Sequence, residues 1–150
     1  MARNYLTLTT SAAVALVGGT AKTILQLASA ANSLVAVQEV TVTFDGTVAA
    51  NTPVIVQLVR QTSAGTMTNR TPLKLKDTST ALQSSGQENA SAEPTVGDMI
   101  RTYHIHPQAG VLYPLSLPDG EVEMAGGTRF AVKVNAVQNV NCLATIIAEE

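Results

Sequence analysis

The sequence predicts an all-β protein, an antiparallel β-sandwich of the jelly-roll kind. Three observations predict it. Apolar and polar residues alternate with a period of two along most of the chain, turn-forming residues interrupt that alternation at short intervals, and no stretch carries a capped apolar stripe of period 3.6. A length of 150 residues suits one domain with its own core, and short strands with frequent turns at this length suit a sandwich or barrel.

Taken in order, the first ten residues come first, with Leu6 and Leu8 alternating with Thr7 and Thr9. They form either an edge strand of their own domain or an arm that adds to a neighbour's sheet, and residues 11–150 form the domain. "AVALV" and "TILQL" follow, with Gly18-Gly19 between them read as a hairpin turn. The alanines of "SAAVALV" favour a helix, but the run is short and meets two glycines. In "EVTVTFDGT", Val40, Val42 and Phe44 point inward, Glu39, Thr41 and Thr43 outward, and Asp45-Gly46 turns the chain.

"PVIVQLVRQ" is apolar on both faces, because Ile55 and Val59 join Val54, Val56 and Leu58. It is read as a central strand or one covered by another subunit, with Ile55 and Val59 as candidate self-association residues. Pro53 fits only at its first position. "PLKLK" sets Leu73 and Leu75 against Lys74 and Lys76. Residues 77–98, "DTSTALQSSGQENASAEPTVGD", have almost no apolar anchor and are read as a long polar loop, mobile or ordered against a neighbouring subunit. Pro118-Asp119-Gly120 and Gly126-Gly127 mark later turns. "TRFAVKVNAV" then places Phe130, Val132, Val134 and Ala136 on one face and Arg129, Lys133 and Asn135 on the other. In "VNCLATIIAE", Cys142 alternates with Val140, Ala144 and Ile146, the setting of a buried thiol that behaves as a small hydrophobe.

Composition excludes several functions. Charged residues are 13% of the chain, about half the usual share, so neighbours are expected to cover much of the surface. Net charge is −2, Lys and Arg are scattered, and Trp is absent, which argues against nucleic-acid binding. One cysteine rules out an intrachain disulfide or a Cys-rich zinc site. The apolar run Ala12–Val17 is far too short to span a membrane, and threonines upstream spoil it as an export signal. "LVGGTAKT" lacks phosphate-loop spacing, and no serine lies in Gly-x-Ser-x-Gly. Glu121 and Glu123 alternate with Val122 and read as a solvated edge rather than a catalytic carboxylate pair.

The remaining candidate for chemistry is "MIRTYHIHP". Met99, Tyr103 and Ile105 are expected on one face and Thr102, His104 and His106 on the other, with the two histidine Cα atoms about 6.8 Å apart. His104 and His106 could supply two ligands to one metal ion. Cupin-type sites add a Glu shortly after His-x-His and a later His; here Pro107 to Gly110 follow and no further His exists. A catalytic ion wants three protein ligands and an open position, so the pair reads as solvent-facing or interface-lining, and no cofactor is expected.

"VTFDGT", "VQLVRQTSAGTMT", "TPLKL", "ASAEPTVGD", "HPQAGVLYPLSLPDG" and "EVEMAGGTRFAVKV", in this order from about Thr23 to Ala148, resemble a family of small β-rich proteins from tailed bacteriophages. The resemblance implies a non-enzymatic virion part, above all a head decoration (cement) protein: a homotrimer made in the host cytoplasm that binds the major capsid protein on the outer surface of the head and stabilises it. A tail, fibre or baseplate module that recognises a host surface ligand is the alternative. "MARNYLTLTT" lies outside the resemblance. Its Tyr5, Leu6 and Leu8 are candidate capsid-docking residues, together with the 77–98 segment.

Overall fold

The structure is a computed structural model that describes residues 4–46, 51–76, 80–114 and 122–150, with backbone alone for 111–114. No described residue is helical. Strands β1 (Tyr5–Thr9), β2 (Val14–Leu16), β3 (Lys22–Ala28), β4 (Val35–Phe44) and β5 (Val54–Gln61) open the chain. β6 (Thr66–Arg70), β7 (Leu73–Lys74), β8 (Ser85–Ala92) and β9 (Val96–Ile105) follow. β10 (Gly110–Pro114), β11 (Val122–Met124), β12 (Arg129–Asn135) and β13 (Val140–Glu149) close it.

Two antiparallel sheets stack. The first runs β10-β4-β13-β1-β7, with β11 also on β4 and β2 also on β13; the second runs β6-β8-β3-β12-β5-β9. Without β2, β6, β7, β8 and β11, the orders are β1-β13-β4-β10 and β3-β12-β5-β9. This is the arrangement of a jelly roll, two interleaved Greek keys in which successive strands pass from sheet to sheet. The predicted antiparallel sandwich is what the chain forms.

The core lies between the sheets and follows the predicted alternation closely. Phe130, Val132, Val134 and Ala136 of and beside β12 are buried, as are Val40 and Val42 of β4, with Phe44 packed at the margin. β5 is central, paired to β12 on one side and β9 on the other. The second-face cover at Val59 comes from this same chain. From β5 to β6 and from β8 to β9 the backbone crosses the outside of the second sheet, and the crossings are tied by Thr62 N donating to Thr95 O (2.9 Å) and Thr95 N donating to Ser63 Oγ (2.8 Å).

Beneath them the outer face is polar and sealed. Gln26 Nε2 donates to Gln61 Oε1 (2.6 Å) and Ser63 O (3.2 Å), Gln61 Nε2 donates to Thr23 Oγ1 (2.9 Å), and Thr23 donates its N–H and hydroxyl to the Glu93 carboxylate, both at 2.8 Å. Lys133 pairs with the same carboxylate at 3.6 Å. The buried amide N–H groups are tolerated because each finds a partner in the loop or on the next strand, while Gln26 Oε1 is left without one among the described residues.

Four expectations need correction. Residues 77–98 are not one long loop: Ser85–Ala92 is β8, hydrogen-bonded between β3 and β6, and β9 begins at Val96. Its buried positions are Gly86, Glu88 and Ala90, so no apolar alternation advertises the strand. Glu88 is satisfied by Ser11, whose N–H (2.6 Å) and hydroxyl (2.5 Å) donate to its carboxylate. Asp77 to Ser79, in the same stretch, lie outside the described residues. Second, Gly18-Gly19 does not close a hairpin; the turn carries the chain from β2 in one sheet to β3 in the other. A side chain at Gly18 would run into Val137 O. Third, Leu73 and Leu75 are exposed rather than core, because β7 pairs only through Leu73 and Lys74 at the sheet edge. Fourth, Met99 is exposed beside Thr102, since a register shift at Leu58/Val59 turns it off the Tyr103 face.

Candidate functional site

The structure sorts the candidate residues by access. Tyr5 is half-buried, and Leu6 and Leu8 are fully enclosed in the core. The first strand is therefore part of its own domain, paired with β13 and β7, and is no arm. Leu6 and Leu8 cannot serve as docking residues in the folded chain, because their side chains fill the space between the sheets. Val59 is 0% exposed and outside the core cluster, on the face that the double crossing covers, so it too is withdrawn as a self-association residue. Ile55, on the outward phase of β5, stays half-buried.

His104 and His106 are exposed, on and just beyond the edge strand β9, and His106 Nδ1 accepts a bond from Gln108 N (3.2 Å). Among the described residues, no group of three or more His, Cys, Asp or Glu comes together. Glu123 is exposed on β11, and its predicted partner Glu121 lies outside the described residues, as does the Pro118-Asp119-Gly120 turn. Cys142 is free and buried, and desolvation pushes its thiol from 9.0 up to about 12. A neutral, enclosed thiol is a poor nucleophile.

The uncovered surface lies elsewhere, on the outside of the first sheet. The register sets Thr9 opposite Thr145 and Thr145 opposite Thr41, with Thr7 opposite Ile147 and Leu143 opposite Thr43. The Thr9 and Thr145 hydroxyls bond across the strands at 2.9 Å. Leu143 is 45% exposed, and Leu73 and Leu75 extend the apolar area at the β7 edge. Charge sits at the two ends of the face: Glu39 and Glu149 at one, where Gln38 Nε2 donates to the Glu149 carboxylate (2.8 Å) and Lys76 Nζ lies 4.5 Å from the Tyr5 ring centroid, and Asp45 at the other, where it accepts from the backbone and side-chain N–H groups of Asn141. Between those ends the described strand positions are threonines and aliphatics, with no charged side chain among them.

No protein-family model, curated protein or solved structure matches the chain. The geometry therefore stands by itself: one sheet face sealed by the chain's own crossings, the other open and uncharged across its middle.

The open face was half visible in the sequence. Thr-x-Thr in "YLTLTT" and "TVTF" marked outward positions correctly, whereas which of two outer faces stays uncovered depends on crossings between distant segments. Sequence reasoning missed Leu143, Ile147 and the exposed β7 leucines as members of that face. Outward aliphatics at alternate positions of "NCLATIIA" were the available signal.

Proposed function

We propose that the chain is a virion structural protein, a decoration (cement) protein that sits on the outer surface of a tailed-phage head and stabilises it as a homotrimer. The observation that carries the proposal is the uncharged middle of the outer face of the first sheet. A jelly roll that seals one face with its own loops and leaves the centre of the other open and free of charge suits contact with copies of itself. Interface cores are depleted of charge in the same way. The order of segments resembling small phage virion proteins supports the setting. On a lattice, three linked copies bind through several weak contacts at once, so that avidity replaces single-contact affinity.

In this reading the open face joins copies within the trimer. Velocity sedimentation is expected to show a species of three times the 15.6 kDa chain mass. Leu143→Glu places a charge in the middle of that face at a position already 45% exposed. It is expected to leave the thermal melt of the fold within about 0.5 kcal/mol, to shift the protein to monomer, and to abolish its co-sedimentation with expanded phage heads. A wild-type monomer at tens of micromolar that ignores such heads would refute the proposal.

A further inference from the structure

A second feature lies at the margin of the other sheet, where the ends of β3, β6, β8 and β12 meet. A cavity of about 400 Å3 opens there, lined among others by Arg70, Arg129, Asn69, Thr71, Ser85 and Gln87. Two guanidinium groups line it and no carboxylate does, in a chain whose net charge is −2. Arg70 is the last residue of β6 and Arg129 the first of β12. They reach the same cavity because the β5–β6 and β8–β9 crossings carry the β6–β8 pair round to the far edge of the second sheet, against β3.

Neither arginine is neutralised. Among the described residues neither pairs with a carboxylate; Arg70 Nε donates to Thr9 O (2.7 Å), which anchors its side chain to β1, and the buried Nε of Arg129 has no partner at all. That Nε is closed off from solvent, so what the cavity offers is the guanidinium charge itself, uncompensated by any carboxylate among the described residues. The Glu150 carboxylate, bonded to the lining residue Ser84, is occupied by Gln83 N (2.7 Å), Ser84 N (3.0 Å) and the Ser84 hydroxyl (2.5 Å). The rest of the polar lining is hydroxyl and amide: Thr71, Ser84, Ser85, Asn69, and Gln87, whose Nε2 lies 3.4 Å from Asn69 Oδ1.

We infer that this cavity is a binding site for an oxyanion carried on a small polyhydroxylated body, such as an acidic sugar or a sugar phosphate. The two lining guanidinium groups take the carboxylate or phosphate by charge-assisted hydrogen bonds, while the amides and hydroxyls take the neutral hydroxyls. The volume is in the range of small-molecule sites and far exceeds one inorganic ion. The inference is independent of the proposed head-surface role, since the cavity and the open face lie on different sheets.

The test is a titration of the full chain followed by backbone amide NMR, with glucuronate, glucose 6-phosphate, inorganic phosphate and glucose as probes. Saturable shifts at Ser85, Gln87 and Arg129 are expected with glucuronate or glucose 6-phosphate and none with glucose at equal concentration. Phosphate binding as tightly as the sugar acids would show that the oxyanion alone is recognised and would overturn the polyhydroxylated body. Arg129→Gln is expected to weaken binding by about tenfold or more, the scale of a lost charge-assisted contact, with an unchanged thermal melt. Arg129→Lys, which keeps the charge but loses the fork, is expected to fall between the two. No saturable shift with either anion to tens of millimolar, equal binding of glucose, or an Arg129→Gln variant that binds like wild type would overturn the inference.

Discussion

Gly86→Val is expected to destabilise the fold by roughly 3 kcal/mol or more, at the upper end of overpacking costs. Gly86 lies on the inward side of β8, where even a Cβ would sit 2.6 Å from Arg70 O and closer still to the Leu8 side chain. The first obstacle is backbone on the neighbouring strand and the second is a fully buried leucine, so neither can move aside without displacing β1 or β6. On propensity alone the change should help, because a β-branched residue suits a strand better than glycine. The sign of the effect therefore decides whether β8 is a packed strand of the sandwich or a surface loop. Urea unfolding monitored by circular dichroism reads it. Gly97→Ala, whose Cβ would meet only the Thr62 methyl at 3.3 Å and Arg60 O at 3.5 Å, is the control and is expected to change stability by less than about 0.5 kcal/mol.

Cys142 makes the fold labile to alkali. Burial raises its thiol from 9.0 to about 12, so the folded chain holds a proton that the unfolded chain releases. Below pH 9 both states are protonated and the group contributes no pH dependence. Between about pH 9 and pH 12 the unfolded state binds fewer protons, and stability falls by about 1.4 kcal/mol per pH unit, roughly 4 kcal/mol across the window. The measurement that isolates the thiol is the difference between wild type and Cys142→Ala in urea midpoints at pH 7, 9.5 and 11. The wild type is expected to lose the extra slope's worth of stability and the variant to lack it. Equal slopes would mean that the thiol reaches water in the folded state. At pH 8 the native thiol is also expected to ignore a disulfide reagent until the chain unfolds.

What the sequence made legible follows from where the physics is local. β12, β4 and β13 alternate over most of their length because one face meets the core and the other does not, and Phe130, Val40 and Cys142 were placed by that rule alone. β8 was invisible because its buried positions are Gly86, Glu88 and Ala90: one leaves room for Leu8, and one is a carboxylate paid for by two bonds from Ser11. Leu6 and Leu8 showed the right alternation but the wrong destination, since alternation identifies a buried face and not which chain buries it. Val59 failed for the same reason, its cover being a crossing between residues 62–65 and 93–95 that no local pattern announces. The Arg70–Arg129 cavity joins residues 59 positions apart through strand order, and strand order is a property of the whole fold.

Electron cryomicroscopy of the particle on which this chain is proposed to sit tests the proposed role most directly. The account predicts threefold-related density on the outer lattice, into which three copies of the jelly roll fit with Thr9, Thr41, Leu143 and Thr145 at the contacts between copies. Heads with a bare outer lattice, and density for this chain at the tail tip or nowhere on the particle, would contradict it.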